Sequence, residues 1–407
     1  MVPRLLATKI EDCPAFLPYG RQTIGEDDIA AVCDVLRSDY LTTGPVVGRF
    51  ESALAAAVGA RHAIVCSSGT AALYMAARAL KLGPGTKVIV PSITFLATAS
   101  APHLAGAEIV FADVDPDSGL MRVGDLEEAA RRAGACDAVF NVHLNGQCGA
   151  VEEIAAAARR HDLAILDDGC HALGTTAGGR RVGENAFSDL TVFSFHPVKT
   201  VTMGEGGAVT TQNDAIADAL ARERNHGMTR NVQDFQNPDA FDTNGTRNPW
   251  FYELIAPGFN WRASDIQCAL GLAQLAKLPQ FSARRRALAA EYDALLAPYA
   301  PMIRPVARQA GCLPTLHLYP VLIDFAACGR SRAQVMAMLA ELGVGTQVHY
   351  YPVHRQRYYA NRYGRLELPG ADRYYGRVLS LPFFASMAKA DVARVVEALA
   401  QVLGLKD

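Results

Sequence analysis

The sequence has little of what marks most binding classes. Its 39 lysines and arginines nearly cancel its 41 aspartates and glutamates, and the one compact basic run, "RRR" at 284–286, reads as a solvated helix face. No electrostatic footprint for nucleic acid follows from that balance. Nine cysteines are scattered without a C-x-x-C pair, and an odd number offers neither a disulfide framework nor a zinc site, which fits a reduced, cytoplasmic setting. The stretch "MVPRLLATKIEDCPAFLPYG" holds only a short apolar patch before Lys9, Glu11 and Asp12, too little for a secretory signal. Residues 88–107 carry no Asp, Glu, Lys or Arg, yet Pro91, Pro102, His103 and four hydroxyl side chains interrupt them. They predict a strand, a loop and a buried helix rather than a membrane span. Lys199-Thr200 lacks the preceding glycines of a P-loop, which argues against nucleotide hydrolysis. No internal repeat or low-complexity tract is visible.

What is present is a long α/β pattern. Half of the 407 residues are apolar, more than one compact core absorbs, so two domains are expected. From about residue 60 to 210, "HAIVC", "KVIVP", "EIVFAD", "DAVFNV", "LAILDD", "LTVFSF" and "GAVTT" alternate with helical stretches such as "AALYMAARALKL" and "VEEIAAAARRH". That alternation predicts a mostly parallel sheet covered on both faces, with ligands at the carboxyl ends of its strands. Residues 228–249 are polar and without period, a long loop of the kind that is functional or mobile. Residues 263–297 are helical, and 300–407 read as a smaller α+β unit with a strand in "HLYPVLIDF" and a helix in "RAQVMAMLAEL". The division is placed at 1–275 and 276–407.

Three constellations sit at predicted strand ends. In "CSSGTAAL", Ser67, Ser68, Gly69 and Thr70 turn the chain into a helix whose unpaired N–H groups suit an anion, or form an ordinary N-cap. In "AILDDGCHALG", Asp167 and Asp168 end an apolar strand; a buried carboxylate there needs a cationic partner, and no further cluster completes a metal site. His171 is a ligand or a satisfied histidine beside a polar pocket. In "FSFHPVKTVTMGEGGAVTT", Lys199 stands between a strand and the glycines 204, 206 and 207. A lysine held among apolar groups loses pKa and becomes an amine nucleophile toward aldehydes, whereas alone it would read as an exposed loop lysine. An anion cradle, a carboxylate and an amine together are what pyridoxal phosphate requires.

On these segments, and on "LTTGP" at 41–45, "PSITFLATA" at 91–99, "VHLNGQ" at 142–147 and "GFNWRASDIQCALGLAQL" at 258–275, the chain resembles the DegT/DnrJ/EryC1/StrS sugar aminotransferases, of fold type I among pyridoxal phosphate enzymes. The resemblance runs over nearly the whole chain. It implies that Lys199 carries the cofactor as a Schiff base and then acts as the base between Cα and C4′, and that Asp168 holds the pyridine nitrogen protonated. It implies that the turn Ser68, Gly69 and Thr70, with the Ser194 hydroxyl, cradles the phosphate, that Phe95 stacks on the ring, and that His171 lies near the ring oxygen and substrate. Asn260 would reach the phosphate of a neighbouring subunit, which implies a homodimer with shared active sites. The family often reads Glu-Asp where this chain has Asp167-Asp168, and members with histidine in place of the lysine are sugar dehydratases, which Lys199 argues against.

A narrower likeness lies in "HGMTRN", "NPWFYEL", "HLYPVLIDF" and "TQVHYYPVHRQRYY". These resemble the branch that aminates UDP-4-keto-6-deoxy-L-AltNAc, with L-glutamate as donor, on the way to pseudaminic acid. Tyr350, Tyr351 and His354 would then line a sugar pocket, or form packing surface. Competing readings are an aminotransferase for another ketosugar such as GDP-4-keto-6-deoxymannose, a cysteine desulfurase using Cys312 or Cys328, and a non-catalytic cofactor-binding protein.

Overall fold

The structure is a computed structural model and describes residues 16–405. Residues 1–15, and with them most of the N-terminal stretch read above for a secretory signal, lie outside the described residues.

Seven strands form the central sheet: β1 His62–Cys66, β2 Lys87–Pro91, β3 Glu108–Ala112, β4 Ala138–Val142, β5 Ala164–Asp168, β6 Leu190–Ser194 and β7 Gly207–Thr211. Their spatial order is β1-β7-β6-β5-β4-β2-β3. From β6 to β3 all neighbours are parallel, and β7 alone runs against both β6 and β1. A strand that is antiparallel to both its neighbours leaves β1 pointing the same way as β6. The carboxyl ends of β1, β5 and β6 therefore open on one edge, where α/β sheets bind ligands.

The helices follow from the pleat. Ile64, Val90, Phe140, Leu166 and Val192 point to one face and pack under α3 (Gly69–Ala79), α4 (Ala97–Leu104) and α7 (Asp214–Arg224). Their chain neighbours point the other way. Val65 and Phe193 meet α2 (Pro45–Val58) and α8 (Asp265–Ala276), on which α1 (Glu26–Leu36) packs, while Val139 and Ile165 meet α5 (Val123–Ala133) and α6 (Val151–Arg160). Each such large apolar side chain, fully buried, contributes about 1.5–3 kcal/mol. Residues 88–107 are as expected: β2, a loop, then α4 with Ala97, Thr98, Ala99 and Ala101 buried.

The C-terminal unit has an antiparallel sheet of Ile303–Pro305, Tyr319–Ile323 and Val378–Leu381. It is covered by α9 (Leu278–Leu296), α10 (Arg332–Glu341) and the helix Lys389–Leu403, with Tyr292 and Tyr319 stacked at 4.4 Å in its core. Leu17 joins this unit: its N–H donates to Gly343 O and its carbonyl accepts from Gly345 N–H. We propose the division near residue 275, with residues 17–19 exchanged to the second unit.

Two expectations change. Arg285, in the middle of the basic run, is buried, not solvated: its guanidinium donates to the carbonyls of Leu316, His317 and Phe383 and lies 5.5 Å from the Phe383 ring centre. Carbonyl oxygens and an aromatic face accept a desolvated cation without a carboxylate. Its burial lowers its pKa to about 10. The 228–249 segment is loop in the main but carries the short turns Val232–Asp234 and Pro238–Ala240 and pairs Met228–Thr229 with Glu253–Leu254.

Candidate active site

At the shared strand edge a cavity of about 790 Å³ is lined by Ser68, Gly69, Thr70, Phe95, Asp168, His171, Ser194, Lys199, Tyr350 and Tyr351, among others. The turn after β1 begins α3. The Ser68 hydroxyl accepts from Ala71 N–H at 3.1 Å, so Ser68 is the N-cap. The first-turn amides of Gly69 and Thr70 have no carbonyl within the helix to bond, and they meet the positive end of its dipole. A Cβ on Gly69 would lie 2.9 Å from Ser194 Cβ and 3.2 Å from its hydroxyl, so glycine keeps the gap between helix start and strand end open. Gly207, at the start of β7, is tighter still: a Cβ there would be 2.2 Å from Ser68 O and 2.7 Å from Gly69 N. The glycine beside the lysine loop thus lets β7 pass under the Ser68–Thr70 turn.

Asp168 shares its face with Leu166, under α4. Thr98, in the first turn of α4, donates to Asp168 Oδ2 at 2.7 Å, and Cys170 N–H donates to Oδ1 at 3.1 Å. Because the Thr98 proton is committed, the 2.8 Å contact between Thr94 and Thr98 has Thr94 as donor. The carboxylate is buried yet reaches the cavity wall, which leaves it free to take one cationic partner from that side. Asp167 turns to the opposite face.

Lys199 follows β6 and is half-buried at the cavity. Burial lowers its pKa, and Cys170 and Asp168 oppose that only in part. His171 is buried; its pKa is held well below the usual value by burial first, then by Lys199 and His349. Its Nδ1 takes the Asn145 N–H at 3.2 Å, and its Nε2 lies 3.2 Å from the Tyr350 hydroxyl. Phe95 is 52% exposed, with its ring 6.0 Å from that of Tyr350, so one face is open to a planar ligand. Tyr351 is exposed at the rim and its hydroxyl donates to Arg355 O at 3.4 Å.

One expected residue, His354, is elsewhere, and Asn260 lies off this chain's own cavity. His354 is buried beneath the site, its Nδ1 2.5 Å from Ser92 Oγ and its ring 6.3 Å from that of Phe111, and it is not on the cavity wall. The packing of "VHRQRYY" as a short turn followed by a helix carries it inward. Asn260 is exposed on the segment leading to α8, paired with Asn225 and capping Arg262 N–H, outside this chain's own cavity. The cysteine reading also fails on geometry. Cys312 lies against Cys148 N–H on the Asp167 side of the sheet, and Cys328 lies against Met302, so neither lines the cavity. Residues that the sequence reading missed include Thr98, Asn145, His317 and His349. The first two lie inside "PSITFLATA" and "VHLNGQ", whose repeated hydroxyls and left-handed-tolerant asparagine are visible signals; the two histidines carry none.

The donor set fits pyridoxal phosphate: unpaired amides and hydroxyls for a phosphate, one carboxylate for a pyridinium, one amine of lowered pKa, and an open aromatic face. Among the described residues no cluster of His, Cys, Asp or Glu could hold a metal ion.

Comparison with known proteins agrees. The DegT/DnrJ/EryC1/StrS aminotransferase family matches residues 22–400. PseC of Helicobacter pylori, an aminotransferase involved in the biosynthesis of pseudoaminic acid, superposes with a TM-score of 0.86 at 28% identity, over 96% of this chain and 100% of that one. The putative sugar aminotransferase Spr1654 of Streptococcus pneumoniae, in its PMP form, gives 0.85 at 27% identity over 96% and 99%, and was also solved in a PLP form. DesI, solved in the presence of its TDP-sugar product, gives 0.82 at 30% identity over 96% and 93%. The chain belongs to the DegT/DnrJ/EryC1/StrS family and is a PLP-dependent sugar aminotransferase of fold type I.

Proposed function

We propose that the enzyme moves the amino group of L-glutamate to the C4 keto group of a nucleotide-linked 4-keto-6-deoxy sugar. The observation that carries this is the convergence of Lys199, Asp168 and the Gly69–Thr70 turn on one cavity. Pyridoxal phosphate, when bound, supplies the aldehyde and the electron sink that let an α-proton leave. Lys199 Nζ, less basic than an exposed lysine, would take the proton from Cα and pass it to C4′. Asp168, held by Thr98 and Cys170 N–H, keeps a proton on the pyridine nitrogen. The amides of Gly69 and Thr70, with Ser194, hold the phosphate, and Phe95 covers the ring. The donor leaves before the ketosugar binds, a ping-pong order.

The preferred substrate is UDP-4-keto-6-deoxy-L-AltNAc, giving UDP-4-amino-4,6-dideoxy-β-L-AltNAc. The likeness to PseC at 28% identity supports it, as do the substrate-segment motifs. Tyr350 and Tyr351 line the cavity, which supports a role for them in meeting the sugar. Asn260, exposed and off its own cavity, supports a homodimer in which each chain completes the other's phosphate site. The free thiols of the described cysteines support a cytoplasmic setting, and no described helix is long and apolar enough to cross a membrane.

The test is product analysis by mass spectrometry and NMR, with holoenzyme, L-glutamate and a panel of UDP-, GDP- and TDP-linked 4-ketosugars. Amination of the UDP-L-AltNAc ketosugar above the others is expected. Preference for GDP-4-keto-6-deoxymannose would move the enzyme to the perosamine-type reading, and amination of none would overturn the ketosugar assignment.

A further inference from the structure

The loop after β4 holds a residue to which the reading above gives no role. Asn145 is 4% exposed and sits in the left-handed region, φ 61° and ψ 12°, which asparagine tolerates better than most residues. Its polar groups go to two different parts of the molecule. Its N–H donates to His171 Nδ1 at 3.2 Å. Its carbonyl accepts from His317 N–H at 3.1 Å, and its Oδ1 accepts from Leu318 N–H at 2.7 Å. One left-handed residue thereby ties the turn after β5 to the segment entering the strand Tyr319–Ile323.

We propose that Asn145 is a positioning residue that fixes His171 as the neutral imidazole protonated on Nε2, presenting an N–H donor toward Tyr350 at the cavity wall. A backbone N–H only donates, so the Nδ1 it meets carries a lone pair, and the neutral ring then bears its proton on Nε2. An imidazolium would set a second N–H against the Asn145 amide. The other groups facing His171 agree with a neutral ring. Lys199 faces it from the loop after β6, and His349 from the segment before Tyr350. The His317 ring lies 4.4 Å from it, with Arg285 behind. On its own turn the carboxylate of Asp168 is already engaged by Thr98 and Cys170 N–H. The Oδ1 bond to Leu318 fixes the tilt of the Asn145 peptide and so the direction of its N–H. Its own side chain thus acts on His171 through the backbone.

The inference rests on the aminotransferase reading only for its effect on turnover; the tautomer itself is read directly. The experiment is histidine side-chain ¹⁵N–¹H NMR of ¹⁵N-histidine-labelled holoenzyme, assigned with His171→Gln, for wild type, Asn145→Asp, Asn145→Gly and Asn145→Ala. Wild type is expected to show one His171 pattern, Nε2 protonated and Nδ1 bare, from about pH 5.5 to 8. Asn145→Asp keeps the acceptor and tolerates the left-handed backbone, so the tautomer stays while the added charge raises the ring's protonation midpoint by about one pH unit. Asn145→Ala and Asn145→Gly lose the Leu318 bond, so His171 exchanges between tautomers and the glutamate half-reaction slows about 10- to 100-fold. If Asn145→Ala does not fold, Asn145→Gly, which enters the left-handed region freely, decides. A wild-type ring protonated on Nδ1, or either small variant retaining a single Nε2–H tautomer and the wild-type half-reaction, overturns the proposal. Failure to aminate any ketosugar with the His171 pattern intact would remove the substrate reading and leave this one standing.

Discussion

Asp167 and Asp168 are adjacent in the chain and serve opposite faces of the same sheet. Asp168 looks into the cavity, bonded by Thr98 and Cys170 N–H. Asp167 looks to the α5–α6 side, where it meets His143 Nε2 at 3.4 Å and Asn141 Nδ2 at 3.3 Å. The period-two alternation of a strand makes the pair two separate devices rather than one diacid.

Removing each carboxyl therefore has a different result. Asp168→Asn is expected to slow the glutamate half-reaction by about 100-fold or more, followed by stopped-flow absorbance, with an unchanged melting temperature. Asp167→Asn acts on stability. Burial pushes the Asp167 carboxyl up, but His143, Ser188 and Asn141 outweigh it and its folded pKa lies below the usual value. Its contribution is present above the unfolded carboxylate pKa and is lost as pH falls through the folded one. Burial lowers the His143 pKa but Asp167 raises it more, so that contribution is present below the unfolded histidine pKa and is lost as pH rises through the folded one. The melting-temperature gap between wild type and Asp167→Asn should be widest near pH 5–6 and narrow above about pH 8. A gap that widens with pH would contradict the pairing.

Lys199→Ala should bind pyridoxal phosphate without the Schiff-base absorbance and lose the glutamate half-reaction by about a thousandfold or more. An exposed lysine would behave otherwise: its removal would leave both signals in place. Retention of either signal would move the amine role away from Lys199.

Gly207→Ala tests the packing under the Ser68–Thr70 turn. The added Cβ would meet Ser68 O and Gly69 N, both backbone, so no side chain can yield. Destabilisation of about 1–3 kcal/mol by urea unfolding is expected, with weaker pyridoxal phosphate binding by equilibrium dialysis. Gly204→Ala, where a Cβ meets nothing but φ is +79°, should strain the loop and spare cofactor affinity.

Much of this was legible in the chain itself. All seven central strands lie where short apolar runs alternate with helices, because a buried parallel sheet demands continuous apolar runs. The Ser68–Thr70 turn, Asp168 and Lys199 were legible as neighbours because each lies at or shortly after the end of a strand on the same sheet edge. What was not legible depends on chain segments distant in sequence. Arg285 looked solvated in "RRR" because its acceptors are carbonyls more than thirty residues away, which no local pattern records. His354 looked like a pocket residue in a tyrosine-rich stretch, but its direction is set by Ser92, 262 residues earlier. His317 and His349 join the site only when the C-terminal unit docks on the sheet edge.

Asn260 carries the assembly argument, and mixing subunits tests it. Asn260→Ala and Lys199→Ala homodimers should each be impaired, the first through weakened cofactor binding and the second through the missing amine. If Asn260 serves the neighbouring chain, a heterodimer of the two variants has one site with both defects and one site with neither. Co-expression with two affinity tags, followed by tandem purification, isolates that species. It should then show about half the wild-type rate per dimer, since closed two-fold symmetry gives two equivalent sites. If Asn260 acts within its own chain, every heterodimer site carries one defect, and the purified species stays at the level of the impaired parents. Recovery thus reports where Asn260 reaches, independently of which ketosugar is aminated.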